Sequence, residues 1–144
     1  MDHFNCANLV KLPFDRALRE TRQALRDEEF VVITEIDLRA ELQDKLGQAI
    51  RPYTILGVWV PSWEYQAVCH EPDIGLLMPS HVCLRDNGDA TCTLTVPDLK
   101  RLCHPDTNPL LAQAARAVNA RLRAVVSSVQ FAGAMEPPPA PLQG

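Results

Sequence analysis

No two of the five cysteines stand in CxxC spacing, and five is an odd number. That pattern excludes zinc-ribbon and thioredoxin-type motifs and fits a reducing compartment better than a disulfide framework. No apolar run reaches the roughly 18 residues of a membrane span. The opening Met1-Asp2-His3-Phe4-Asn5 has neither the basic end nor the apolar stretch of a secretory signal. The expected setting is the cytoplasm, with no membrane partner. Excess positive charge is missing too: 14 Lys and Arg against 18 Asp and Glu leave a formal net charge of -4. Nucleic acid is therefore not an expected partner, since binding it draws on phosphate neutralisation by cations. Nucleophile-elbow, P-loop, dinucleotide-binding, HExxH and EF-hand patterns are absent as well, and the enzyme classes that carry them lose support.

What is present fits one ordinary globular domain. A chain of 144 residues has room for a single core, and 47% hydrophobic with 22% charged residues is an average mixture. The domain is expected over residues 1–132. The Pro-rich stretch 133–144 has little to pack and is expected to be a disordered tail.

Along the chain, the apolar segment 8–12 reads as a strand, followed by Pro13 at a helix-opening position. Phe14, Leu18, Thr21 and Leu25, with Ala17 and Ala24 beside them, give a helical stripe to about Asp27. Arg19, Arg22 and Arg26 share the solvated side of that helix. Residues 30–37 are dense in β-branched side chains and read as a strand. Asp37 can cap a short helix through Leu46, which Gly47 ends. Residues 53–60 make the next strand, and Ser62 is expected to cap a helix that stops before Pro72. The connection 72–79 is apolar enough to pack against the sheet or a partner subunit. From Pro109, the spacing of Leu111, Ala114, Ala115, Val118, Leu122, Val125, Val126 and Val129 holds a helical period for about five turns.

Between these elements Asp86-Asn87-Gly88-Asp89 predicts a hairpin, because Asn-Gly is the preferred pair of a two-residue type I′ turn. With Asn87-Gly88 as the loop, Cys83 would oppose Cys92, His81 would oppose Leu94, and Val82 would oppose Thr93. The hairpin makes the sheet mainly antiparallel, so the fold class is α+β with helices on one face. The other face would be left open, and dimerisation is one way to cover it.

Three phrases resemble a known family. Thr34-Glu35-Ile36-Asp37, then Arg51-Pro52-Tyr53-Thr54-Ile55-Leu56-Gly57, then Glu71-Pro72-Asp73-Ile74-Gly75-Leu76-Leu77-Met78-Pro79 are similar to the DUF302 family over about residues 12–129. The resemblance implies a β-α-β(4)-α core like that of the TATA-binding protein, decorated with short extra helices and found as a dimer. It implies no reaction. The family's "ACNP" and "PCNV" read Val58-Trp59-Val60-Pro61 and Pro79-Ser80-His81-Val82 here. Its two cysteines are thus replaced by Trp59 and Ser80, and no thiol or metal role carries over through them.

Two constellations could carry chemistry. His81, Cys83 and Cys92, on one face of the expected hairpin, could supply three ligands to zinc or copper(I), or the two thiols a labile disulfide. Against that, a buried cysteine packs as a small hydrophobe, which is the preferred reading. Glu35 and Asp37 fall on the same side of their strand and, with Arg51 and Tyr53, could bind a cation or act as acid and base. The structural alternative, Asp37 as a helix cap and Glu35 paired with Arg51 or Lys45, satisfies the same groups without a substrate. Trp59 and Trp63 flank Pro61 and suit either a pocket, a dimer seam or plain core packing. The steps Cys69-His70 and Cys103-His104 cannot chelate one ion on their own, and Cys6 is expected to be exposed.

The leading expectation is a non-enzymatic homodimeric domain that binds a small ligand or a protein partner through Glu35, Asp37, Arg51, Tyr53, Trp59 and His81, without a cofactor. The alternatives are a thiol or metal protein using His81, Cys83 and Cys92, and an acid–base enzyme around Glu35, Asp37, Arg51 and Tyr53. No catalytic residue is assigned.

Overall fold

The computed structural model describes residues 5–99 and 108–135. Strand β1 (Asn5–Val10) leads through Pro13 into helix α1 (Phe14–Asp27), whose buried face is Ala17, Thr21, Ala24 and Leu25. Strand β2 (Val31–Asp37) runs directly into helix α2 (Leu38–Leu46). Asp37 accepts from the Ala40 amide at 3.0 Å, and Gly47 closes the helix in the left-handed conformation at φ 64°. Both ends of α2 are therefore where the cap and the glycine predict them.

Strand β3 (Tyr53–Trp59) is followed by α3 (Pro61–His70) and a 3-10 turn (Pro72–Leu77). Ser62 does not cap α3, contrary to expectation. Pro61 opens the helix, where its missing N–H costs nothing, and the Glu64 carboxylate reaches back to accept the Val60 amide at 3.0 Å. Strands β4 (Ser80–Asp86) and β5 (Cys92–Pro97) form the hairpin, and helix α4 (Pro109–Met135) is the last element among the described residues. Asn108 caps α4 by accepting from the Leu110 amide at 2.9 Å. The helix continues through Gly133 to Met135, past the expected start of the tail at 133, because Gly133 packs bare against the Lys11 backbone. Residues 136–144 of the tail expected over 133–144, and the Cys103-His104 step, lie outside the described residues.

The strands form one antiparallel sheet in the order β1-β5-β4-β3-β2. With α1 and α4, this is the β-α-β(4)-α arrangement the resemblance implies, and α2, α3 and the 3-10 turn are the added helices. Helices α1 and α4 cover one face. Val10, Leu56, Val58, Val82, Leu84, Cys92, Leu94 and Val96 point into that layer and meet Leu25, Leu122, Val125 and Val129 from the helices. Asn119, buried in α4, ties the end of β5 to this layer: its side chain accepts from the Leu99 amide at 2.8 Å and donates to Asp98 at 2.9 Å.

The hairpin register differs from the expected one. Cys83 faces Thr95, Leu84 faces Leu94, and Asp86 faces Cys92. Residues 87–91 form the loop in place of a two-residue turn. Asn87 donates its amide to the Thr91 carbonyl at 3.0 Å and its side-chain nitrogen to the Thr91 hydroxyl at 3.0 Å, while Gly88 and Ala90 take positive φ of 84° and 65°. The physical reason is burial. Val82 and Leu84 of β4 and Cys92, Leu94 and Val96 of β5 all belong to the core. Residues opposed across a ladder share a face, so a two-residue loop would have set Val82 against Thr93 and turned one apolar set outward.

Candidate functional site

One corner of the molecule is not filled by the side chains of the described residues. Helix α3 leans on the first turns of α4, and the 3-10 turn folds back under α3. Between them lies a cavity of about 310 Å³. Its apolar wall comes from Trp63 and Ala67 of α3, Ile74 and Leu77 of the 3-10 turn, and Leu111 and Val118 of α4. The polar groups on it are Glu64, Glu71, Ser80 and Asn108. Ala114 and Ala115 present only methyl groups where the α4 stripe elsewhere presents valine and leucine, and that leaves the space open.

Glu64 is the unusual member, a carboxylate only 9% exposed. Burial raises its pKa above the ordinary carboxyl value, and the bond from the Val60 amide partly opposes that. No cation among the described residues pairs with it.

The sheet separates the residues that the sequence had grouped. Glu35 and Asp37 do share a side, the helix face of edge strand β2, opposite Leu56 and Thr54. Glu35 is paired with Arg22 of α1, not with Arg51 or Lys45. Asp37 spends its carboxylate on the α2 cap. Tyr53 points to the opposite face, and Arg51 lies against Gly88 of the hairpin loop. Arg51 and Tyr53 instead border a shallow surface cleft with Arg85, Asp86 and Asn87. An acid–base pair served by Arg51 and Tyr53 is therefore not assembled.

The thiol and imidazole cluster comes apart in the same way, as a consequence of the register. His81 and Cys83 lie on the outer face, while Cys92 is fully buried on the helix face, its thiol donating to the Leu12 carbonyl at 3.4 Å. Burial, with Asp86 and Asp89 adding to it, pushes the Cys92 thiol up to about 11. Among the described residues no three His, Cys, Asp or Glu side chains are grouped to hold a metal ion. Cys69 and His70 are exposed at the end of α3, and Cys6 is half-buried within β1 instead of exposed before it.

The outer face does carry Tyr53, Trp59, His81 and Cys83, with Arg85 opposite Tyr53 and Trp59 at the far end of the same strand as Tyr53. Tyr53 and Cys83 are hydrogen-bonded and burial raises the pKa of both, with the Arg85 charge acting in the opposite direction on each. Of the cavity residues, Trp63 and the apolar connection 72–79 were visible in the sequence as unusual, but Glu64 was not. No local signal marks it: a capping-box glutamate stands three residues after a Ser or Thr cap, whereas Glu64 stands four residues after Val60.

Comparison with known proteins places this geometry. The family model described as "Domain of unknown function DUF302" matches residues 8–129. No curated protein matches. Among solved structures, the crystal structure of an uncharacterized conserved DUF302 protein from Bacillus stearothermophilus aligns with a TM-score of 0.77 at 20% identity, covering 88% of this chain and 98% of that one. At that identity the likeness is one of fold.

Proposed function

The chain belongs to the DUF302 family, and we propose that it is a non-enzymatic, homodimeric binding domain whose ligand, a small and largely apolar molecule, sits in the corner between α3, the 3-10 turn and α4. The observation that carries this reading is the cavity of about 310 Å³ with its mostly apolar wall and few polar groups. That is the small end of the range in which proteins bind small molecules, and the chemistry of the wall is the usual one. Catalysis finds less support, since the carboxylates, arginine and tyrosine that would serve it point to different faces.

The ligand half of the proposal is tested by titrating methyl-labelled protein with 2-phenylethanol and following the methyl resonances. Saturable shifts confined to the lining methyl groups of Ile74, Leu77, Met78, Leu99, Leu111 and Val118 are expected, and they should vanish when Ala114→Phe fills the space. Shifts that do not saturate, or that fall elsewhere, overturn it.

The homodimeric half is favoured by the outer face of the sheet. Its described side chains, among them Leu9, Val31, Ile36, Ile55, Trp59 and Tyr53, include no carboxylate. Leu9 is 52% exposed, Val31 45% and Ile36 41%. Five strands at about 4.8 Å spacing and roughly six residues at about 3.3 Å each give a face of about 24 by 20 Å. Two such faces bury on the order of 1,000 Å², near the lower limit for a specific interface. Sedimentation velocity should return twice the chain mass of 16.0 kDa, falling to the monomer in the double variant Leu9→Glu, Ile36→Glu. A monomer at every soluble concentration overturns the dimer.

A further inference from the structure

We propose that the corner cavity selects a small organic cation, a primary amine borne on a single aromatic ring or a short branched alkyl body. This rests on the cavity being a ligand site. Among its described lining residues the charged ones are Glu64 and Glu71, and none is Lys, Arg or His. Neither carboxylate has a cationic partner among the described residues.

Glu64 decides the sign. It is 9% exposed and accepts from the Val60 amide at Oε2, at 3.0 Å, and from its own backbone amide, which still leaves acceptor capacity on the carboxylate unused. A buried charge without a counter-charge is unfavourable, and an ammonium group beside it offsets that cost. An anionic ligand would add repulsion from Glu64 and Glu71 together. A neutral ligand would fill the apolar space while leaving the carboxylate as it is. Trp63 strengthens the preference, since the negative face of an indole attracts a cation. Ile74, Leu77, Leu111 and Val118 then accept the hydrocarbon part, with no polar group to satisfy. Burial, which raises the Glu64 pKa, acts in the same direction: a cation that holds the carboxylate ionised is bound more tightly as pH rises through that titration.

The chain has two tryptophans, and Trp59 lies on the outer face of the sheet, away from the cavity. In the Trp59→Phe background the emission of Trp63 therefore reports the cavity alone. The full chain is titrated with 2-phenylethylamine, 2-phenylethanol and 3-phenylpropanoate, which share one body and differ in charge. The amine should bind about tenfold tighter than the alcohol, the advantage of one partly buried ion pair, and the propanoate should not saturate. Glu64→Gln keeps an oxygen for the Val60 amide; it should erase the advantage of the amine and leave the affinity of the alcohol unchanged. Equal binding of amine and alcohol, tighter binding of the propanoate, or an advantage that survives Glu64→Gln overturns the selectivity while the cavity remains a ligand site. If none of the three moves the Trp63 emission, both the selectivity and the ligand site fall.

Discussion

The two faces of the sheet are made from alternate residues of the same strands, and they have opposite fates. On the helix face Leu56, Leu84 and Leu94 are sealed under α1 and α4. On the outer face the residues one step along, Leu9, Ile36 and Val31 among them, stand partly in water. Which side chain belongs to which face is decided by the parity of the hairpin register and by nothing more local. One consequence is that Cys83 and Cys92, close in sequence and in the same hairpin, inhabit different environments: one beside Tyr53 and Arg85, the other under the Leu12 carbonyl.

The sharpest way to break this contrast is to truncate one leucine on each face. Leu94→Ala removes a fully buried side chain opposed to Leu84, and the cost should be about 2–5 kcal/mol in denaturant unfolding. Leu9→Ala, on the outer face of edge strand β1, should cost less than about 1 kcal/mol in the monomer. Comparable costs at the two sites would mean that the outer face is covered within the single chain.

The next largest effect belongs to the polar exception on the helix face. Asn119→Leu leaves the Leu99 amide without its acceptor and takes the Asn119 donor away from Asp98. A loss of about 2 kcal/mol is expected, the cost of buried groups left unmade. Asn119 was not legible in the sequence, where it sits unremarked between Val118 and Ala120; its role depends on which turn of α4 meets the end of β5.

The same division explains what could be read in advance. The ends of α2 follow from Asp37 and Gly47 because caps are local chemistry between residues a few positions apart. The apolar stripes of α1 and α4 were legible because one period governs a whole helix. Asn87-Gly88 misled because a turn preference worth little by itself was set against the burial of Val82, Leu84, Leu94 and Val96 together, and burial prevailed. The alternation of those apolar residues along both strands is present in the sequence and specifies the observed register. Glu64 and the cavity could not be read that way. They arise where α3, the 3-10 turn and α4 meet, and no pattern within any one of the three contains the space between them.

The cysteines sharpen the contrast through pH. The folded Cys92 thiol titrates near 11, against an ordinary value of 9.0. Between those values the folded chain keeps a proton that the unfolded chain has lost, so this group leaves stability unchanged below about pH 9.0 and lowers it as pH rises toward 11. Replacing it by Ala should flatten that decline in pH-dependent unfolding. Exposed Cys69 should be alkylated well before Cys92 in the native state.

The smallest effect is the one that bears on the corner. Glu64 has its folded pKa raised by burial, so the native state holds a proton that the unfolded chain releases just above 4.5. Its contribution is therefore most favourable in acid and declines as pH rises through the carboxyl range. Glu64→Gln removes that decline while keeping an acceptor for the Val60 amide. At pH 7 the variant should melt at or about 2 °C above the parent, and at pH 4 the difference should close. A variant that melts lower at pH 7 would mean that the charge at the start of α3, favoured by the helix dipole, outweighs its burial. Glu64 would then be a satisfied helix cap, and its carboxylate would have no need of a cation.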